Sequence, residues 1–340
     1  MTSDGSPADF VFDRWTEGSA PIEEIKKFAE AASNPGSEGY IPKKDRIAVF
    51  DMDGTILSEN NPGDMEWALY LHRVFSDPGY RATQEQKDLA EEMMQVIRTG
   101  VKPPGFTARK NRCNAEAFDG MTVGQYVSYI KDFISKPSDT YLGAVRRDLF
   151  YLPMVQLMEY LAECGFTVFI CSATEILNVR TTIEGTIDIP MHQVIGTEYL
   201  ITASGQGDTD GMSYVMDWND DLIYTSRIQL VASGMNKVIK LIQGIGQCPA
   251  IAFGNGSGDY SMLTYVSQNP FYKGKCFLLL ADDDVRDYGK PETAAKLRKQ
   301  AEEMGWSVIS MKEDFKTIYK KGVRPKFKSI GEVFDGGNRI

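Results

Sequence analysis

The chain has 340 residues, of which 42% are hydrophobic and 25% charged, and its formal net charge is −10. This apolar fraction supports a sizeable core and excludes a disordered or low-complexity chain, and the length predicts about two compact units or one core with a large insertion. An acidic chain gains no counterion-release affinity for a polyphosphate, so we expect no nucleic acid among its partners.

Cysteine and histidine are sparse and scattered. The five cysteines never take Cys-x-x-Cys spacing and there are only two histidines, which argues against a disulfide framework, a structural zinc site and a multi-histidine metal centre. No apolar run approaches the ~20 residues that span a bilayer, so we expect no membrane association. The N-terminus lacks the basic and apolar segments of a signal peptide, which predicts a cytoplasmic location by default, with a processed periplasmic or secreted form as an open alternative.

The first part of the chain changes its pattern near residue 60. After an amphipathic helical stretch at 22–32, the run Arg46–Phe50 has the length and composition of a buried strand. From 60 to 150 the pattern is helical, and the predicted helices are Met65–Phe75, Gln84–Ile97 and Val123–Ile134. Since almost nothing in this block resembles a buried strand, it is interpreted as a helical insertion.

Helices and strands alternate again after residue 150. A helix at Met154–Glu163 leads to a strand at 166–171, and a helix at Asn236–Gln243 leads to a strand at 250–253. Residues 190–235 look hairpin-like. Further strands are predicted at Cys276–Leu280, Trp306–Ile309 and Glu313–Tyr319. This alternation predicts an α/β fold with a doubly wound, mostly parallel sheet, whose active crevice lies outside the carboxyl ends of the strands.

Two carboxylates follow the first predicted strand, in the run Asp51-Met52-Asp53-Gly54-Thr55. Asp51 can attack phosphorus directly and form an aspartyl-phosphate that water then hydrolyses. Asp53 can protonate the leaving oxygen and later activate that water. The same pattern also occurs in turns and calcium loops, but a calcium loop needs further regularly spaced acidic residues and a preceding helix, which are missing here.

Polar residues follow two other predicted strands. Ser172 can bind a phosphate oxygen or, alternatively, cap the helix that starts near Glu175. The run Gly254–Asp259 supplies oxygen donors of the kind that Mg²⁺ prefers, although Gly-rich turns are common in α/β proteins. Lys237 and Lys240 precede this strand, where either could neutralise a transferring phosphoryl group or simply be a surface lysine.

These runs occur in the order of the four motifs of the haloacid dehalogenase-like (HAD) hydrolase superfamily, which the chain resembles over residues 46–265. Glu59, the long helical insertion and the run Val194–Glu198 make it similar to the phosphoserine phosphatase-like and phosphorylcholine phosphatase-like members. The resemblance implies a Rossmann-like core formed by residues 1–59 and 151–340, with a helical cap of residues 60–150 inserted after the first motif.

The resemblance also implies a role for each matched residue. The implied roles are nucleophile for Asp51, general acid/base for Asp53, phosphate binding for Ser172 and Lys237, and Mg²⁺ binding for Asp51, the backbone carbonyl of Asp53, Asn255 and Asp259. We prefer Lys237 to Lys240 because it lies at the start of its helix, nearer the expected crevice. Asn255 departs from the family, which usually has aspartate here. Its amide oxygen can ligate Mg²⁺ without a charge, which predicts weaker metal binding.

The predicted function is hydrolysis of a small phosphorylated metabolite by a Mg²⁺-dependent phosphatase. A phosphomutase or phosphotransferase of the same fold and a catalytically weak binding protein stay open as alternatives. Glu59 predicts a cationic, amino-alcohol or choline-type leaving group by charge complementarity. Trp67, Tyr70 and a loop near Phe106–Phe118 are further candidates for substrate selection, although core packing is the simpler explanation of the aromatic residues. No oligomeric state is predicted.

Overall fold

The computed structural model describes residues 9–60 and 62–334. Its centre is a seven-stranded sheet in the order β5-β4-β3-β1-β6-β7-β8, in which every neighbouring pair is parallel except β4 and β5. The strands are β1 Ile47–Phe50, β3 Thr167–Glu175, β4 Val194–Ala203, β5 Leu222–Leu230, β6 Ile251–Gly254, β7 Lys275–Leu280 and β8 Ser307–Ser310, and a separate short pair is formed by β2 Tyr141–Leu142 and β9 Arg324–Pro325. The predicted α/β class and mostly parallel sheet are confirmed.

Both faces of the sheet are buried, as the continuous apolar strands require. In β1, Ala48 and Phe50 belong to one apolar cluster, whereas Ile47 and Val49 belong to a second cluster on the opposite face. Helices cover each face, so the sheet is doubly wound. The helices are α1 Ala20–Ser33, α2 Met65–Phe75, α3 Gln84–Thr99, α4 Phe106–Ala117, α5 Val123–Ser135, α6 Leu152–Glu163, α7 Ile176–Ile183, α8 Met235–Ile245, α9 Tyr260–Ser267, α10 Pro291–Met304 and α11 Met311–Asp314.

Among the described residues, the part of the chain predicted to be an insertion, 60–150, contains the helices α2 to α5. The segment expected to be a loop near Phe106–Phe118 is instead the helix α4, so that prediction is wrong. Phe106, Cys113 and Ala117 face the core from it. Its charged positions obscure the helical pattern in the sequence, but Lys110 and Arg112 form ion pairs with other helices of the insertion.

The C-terminal segment also differs from its prediction. Residues 313–319 do not form a strand, because Ser310 caps the short helix α11 by accepting a hydrogen bond from the Glu313 backbone N–H at 3.1 Å. The chain then pairs β9 with β2 and packs a 3-10 helix, Ile330–Phe334, against α3. This segment therefore connects the core to the insertion. Within the described residues, no helix has both the length and the apolar character needed to cross a membrane.

Candidate active site

Three adjacent parallel strands bring the predicted motifs to one edge of the sheet. Phe50, the last residue of β1, is in register with Ile170 of β3 and Phe253 of β6. The residues that follow them line one cleft of about 750 Å³. All of the predicted site side chains line this cleft, namely Asp51, Asp53, Glu59, Ser172, Lys237, Asn255 and Asp259.

The Lys237 ammonium group lies at the centre of the site. Its Nζ donates to Asp51 Oδ1 at 2.5 Å, to Asp259 Oδ1 at 2.7 Å and to the Cys171 carbonyl oxygen at 2.7 Å. Burial alone would lower the pKa of Lys237, but the Asp259 and Asp51 carboxylates outweigh it and raise that pKa. Lys237 is therefore a permanent positive charge between the carboxylates of the first and fourth motifs.

The second candidate lysine, Lys240, does not reach Asp51. Its Nζ lies 2.5 Å from Glu198 Oε1, and it does not line the cleft. Both lysines are on α8 and three residues apart, which is only about 60° around the helix, so their different partners rather than opposite helix faces distinguish them. The structure thus brings Lys237, and not Lys240, into contact with Asp51.

Asp51 is buried against the end of the sheet. Burial and the nearby Asp259 raise the pKa of Asp51 to about 7, while Lys237 opposes that rise. The Thr55 hydroxyl also donates to Asp51 Oδ2 at 3.4 Å, which helps to hold the loop after β1. Asp51 is thereby a fixed carboxylate with one side occupied by a cation.

Asp53 joins the core to the insertion. It accepts hydrogen bonds from the Met65 backbone N–H at 3.0 Å and from the Thr174 hydroxyl at 2.8 Å. Burial, followed by the Asp64 charge, raises the pKa of Asp53 well above its usual range. A raised pKa favours the protonated form of a carboxyl group, which is the form that donates to a leaving oxygen.

Thr174 was not predicted from the sequence, although a signal exists. It lies two residues after Ser172 at the end of β3, and residues two apart in a strand lie on the same face. Its hydroxyl contacts Asp53, so it belongs to the acid/base side of the cleft.

Ser172 is buried, and its Oγ accepts a hydrogen bond from the Thr174 backbone N–H at 3.1 Å. The alternative role as a helix cap is wrong. Strand β3 continues to Glu175, whose carboxylate caps α7 by accepting from the Leu177 and Asn178 N–H groups, each at 2.9 Å. Ser172 therefore lines the cleft without a capping function.

The insertion supplies the other wall of the cleft. Lys110 of α4 forms a buried ion pair with Glu66 of α2 at 2.7 Å, and Asp64 caps α2 by accepting from the Trp67 N–H at 2.8 Å. A side chamber of about 220 Å³ adjoins the main cleft and is lined by Trp67 and the exposed Lys102, among others. Sequence reasoning missed the Glu66–Lys110 pair because these residues are 44 positions apart.

Glu59, Gly54 and Asn255 meet at the mouth of the site. Asn255 Nδ2 donates to Glu59 Oε2 at 3.4 Å. Gly54 has φ +78°, and a Cβ there would lie only 1.8 Å from Asn255 Nδ2. Confinement in the cleft raises the pKa of Glu59, while the positive charge of Lys290 acts in the opposite direction.

Gly54→Ala is expected to reduce catalytic efficiency by about tenfold or more, because the new methyl group must displace Asn255 from a site that tolerates little movement. The steady-state rate with an aryl phosphate measures this. Gly246→Ala is the matched control, since Gly246 has φ +79° with nothing within 4 Å of its Cβ position. Both variants carry the left-handed backbone strain, so an equal loss of activity in both would contradict the expectation.

The donor set of the site fits Mg²⁺. Among residues 9–60 and 62–334, no three His, Cys, Asp or Glu side chains are grouped to hold a metal. However, the cleft combines the Asp51 and Asp259 carboxylates with the Asn255 amide, whose oxygens are hard donors. Mg²⁺ commonly uses only one or two carboxylates and completes its shell with other oxygens, including water.

No protein-family model and no curated protein sequence matches the chain. Several solved structures are similar to it. A protein of unknown function from Bordetella pertussis Tohama I shares 16% identity over 78% of this chain and 97% of its own, with a TM-score of 0.50. A conserved, functionally unknown protein from Anaerococcus prevotii DSM 20548 shares 15% identity over 89% of this chain and 95% of its own, with a TM-score of 0.51.

A cytosolic 5′-nucleotidase IIIB bound to cytidine is also similar, at 11% identity over 84% of this chain and 85% of its own, with a TM-score of 0.49. At these identities, the two matches with TM-scores of at least 0.50 show the fold alone. That fold is the mostly parallel α/β sheet with helices on both faces described above.

Proposed function

We propose that the chain is a Mg²⁺-dependent phosphatase that hydrolyses a small-metabolite phosphomonoester through an aspartyl-phosphate at Asp51. One observation carries the proposal: the buried Lys237 ammonium joins Asp51 to Asp259 in a cleft at the ends of the strands. A second carboxyl group with a raised pKa, Asp53, lies in the same cleft. An ion pair that only stabilised the fold would not need this group, so its presence favours catalysis.

In the first half-reaction, an Asp51 carboxylate oxygen attacks phosphorus as the bond from phosphorus to the leaving oxygen breaks. Asp53 gives its proton to the leaving oxygen. Lys237 and Ser172 bind the phosphoryl oxygens, and Thr174 holds the Asp53 carboxyl group. In the second half-reaction, ionised Asp53 takes a proton from water, which attacks phosphorus and releases the Asp51 carboxylate.

Asp51, the Asp53 carbonyl, Asn255 and Asp259 would hold Mg²⁺, which supplies compensation of the negative charge on the phosphoryl group. The protein residues perform the remaining steps. The insertion, proposed as a cap of residues 60–150 on a core of 1–59 and 151–340, excludes bulk water from the bound phosphate. Its first helix, α2, is already tied to Asp53 through the Met65 N–H.

A cationic, amino-alcohol or choline-type leaving group is a second, narrower proposal. Glu59 lines both the main cleft and the side chamber, and Trp67 offers an aromatic surface in the same chamber. Lys290 weighs against this proposal, because it lines both spaces too and its charge opposes that of Glu59. Phosphorylcholine and phosphoethanolamine should therefore be compared with neutral aryl phosphates of similar size.

Metal removal is the first test of the phosphatase proposal. With p-nitrophenyl phosphate as substrate, we expect hydrolysis in Mg²⁺, loss of activity after exhaustive EDTA treatment, and recovery when Mg²⁺ is returned. Activity that survives EDTA unchanged would contradict the mechanism, and no activity on any of a panel of phosphorylated metabolites would favour a binding protein. Isomerised product without released phosphate, from a bisphosphorylated sugar, would favour a phosphomutase.

A further inference from the structure

The Asn255 backbone is held by Asp259, and its side chain contacts Glu59. Its backbone N–H donates to Asp259 Oδ2 at 2.9 Å, and the Gly256 N–H donates to the same oxygen at 3.2 Å. Its amide Nδ2 donates to Glu59 Oε2 at 3.4 Å. The backbone bonds leave the side-chain rotation of Asn255 undetermined, and the contact with Glu59 favours one rotation.

Gly54 gives independent evidence that this contact is built into the site. A Cβ at Gly54 would lie 1.8 Å from Asn255 Nδ2 and 3.0 Å from Glu59 Oε2. The amide and the carboxylate therefore meet directly over the Gly54 backbone, and the absence of a side chain there permits their approach.

The chemistry of an amide makes this orientation consequential. An asparagine side chain has a donor –NH₂ group on one side and an acceptor oxygen on the other. With its –NH₂ group toward Glu59, Asn255 leaves its oxygen as the side available to a cation. A reversed amide would place two acceptor oxygens against each other, which the Glu59 carboxylate disfavours.

We infer that Glu59 and Asn255 form a matched pair, in which Glu59 orients the Asn255 amide oxygen toward the metal and supplies the negative charge that asparagine lacks. The inference rests on the proposed function, because it assumes a Mg²⁺ site at Asn255. It makes Glu59 a positioning residue. Partners that orient metal ligands through hydrogen bonds typically contribute about 10–100-fold in metal affinity or activity.

The pair predicts that Asn255→Asp alone does not tighten Mg²⁺ binding. The charge at position 255 by itself would predict the opposite, because a carboxylate binds Mg²⁺ more strongly than a neutral amide. An aspartate at this position would face the Glu59 carboxylate with no donor between them, and like charges in contact repel. The double variant Glu59→Gln/Asn255→Asp exchanges the amide and the carboxylate. It therefore keeps one hydrogen bond and one negative charge.

The test measures Mg²⁺ affinity without substrate, from the rise of the thermal midpoint with Mg²⁺ concentration. We expect Glu59→Gln to weaken Mg²⁺ binding about tenfold and the double variant to return to within about threefold of wild type, since contacting residues couple strongly. Glu198→Gln is the matched control, because Glu198 pairs with Lys240 outside the cleft. Midpoints measured without Mg²⁺ check that each variant folds.

Three results would overturn the inference: unchanged affinity in Glu59→Gln, tighter binding in Asn255→Asp alone, or no recovery in the double variant. If wild type hydrolyses p-nitrophenyl phosphate only with Mg²⁺ and one of these results is found, the pair fails while the proposed function stands. If wild type binds no Mg²⁺, both fail. Catalysis gives a further readout, since saturating Mg²⁺ should restore the Glu59→Gln rate on a neutral aryl phosphate.

Discussion

Replacing Asp51 by asparagine is expected to lower phosphatase turnover by roughly 10³-fold or more, because the variant lacks the nucleophilic oxygen on which the mechanism depends. The two side chains are nearly the same size, and the amide oxygen of the new asparagine can still accept from Lys237, so the fold should persist. Turnover of p-nitrophenyl phosphate and the thermal midpoint measure the two effects separately.

Asp221→Asn is a suitable control for the Asp51 variant, since Asp221 is exposed in the hairpin between β4 and β5 and does not line the cleft. It should retain full turnover. Retention of more than a few percent of activity in Asp51→Asn, with a normal thermal midpoint, would remove Asp51 as the nucleophile.

Replacing Lys237 by methionine is expected to cost about 3–5 kcal/mol of unfolding free energy, the typical penalty for leaving buried charges without their partner. Asp51 and Asp259 would then face each other with no cation between them. Turnover should also be lost. Chemical denaturation at pH 7, in the absence of divalent metal, measures the loss of stability.

The stability loss in Lys237→Met should shrink as the pH falls toward about 7 and should change little below it. Burial and Asp259 already raise the pKa of Asp51 to about 7 in the folded protein, and removal of Lys237 takes away an opposing influence. Below about pH 7 the folded wild type and the folded variant both bind a proton at Asp51, so the protonation of this group no longer separates their stabilities.

Lys240→Met provides the contrast. Its partner Glu198 is partly exposed and can be hydrated when the pair is lost, so we expect a smaller loss of stability and little change in turnover. Equal effects of the two lysine substitutions on turnover would contradict the placement of Lys237 at the centre of the site.

Much of the site could be predicted because it depends on strand ends. Arg46–Phe50 is a short apolar run that ends abruptly in Asp51, and such runs indicate buried strands whose exits meet in a parallel sheet. The full order of the strands depends on long-range pairing and could not be predicted. Asp51, Ser172 and Asn255 meet because their three strands are neighbours in the sheet.

The remainder depends on side-chain contacts between residues distant in sequence. Asn255 and Glu59 are 196 positions apart, and the hydrogen bond between them changes the expected effect of an aspartate at position 255. The helix α4 was missed because ion partners on other helices, such as Glu66 for Lys110, make its charged positions compatible with burial. The sequence favours a serine cap at Ser172 over the glutamate cap that the structure has at Glu175, because serine is the more common capping residue.

The most direct test of the account is to identify the residue that receives the phosphoryl group. The protein is incubated with p-nitrophenyl phosphate and Mg²⁺, quenched in acid, and treated with borohydride, which reduces an aspartyl-phosphate to homoserine. Mass spectrometry of the peptide that contains the first motif should show homoserine at position 51 only when substrate was present. Homoserine at position 53, or no reduced residue under turnover conditions, would contradict the assignment of Asp51 as the nucleophile.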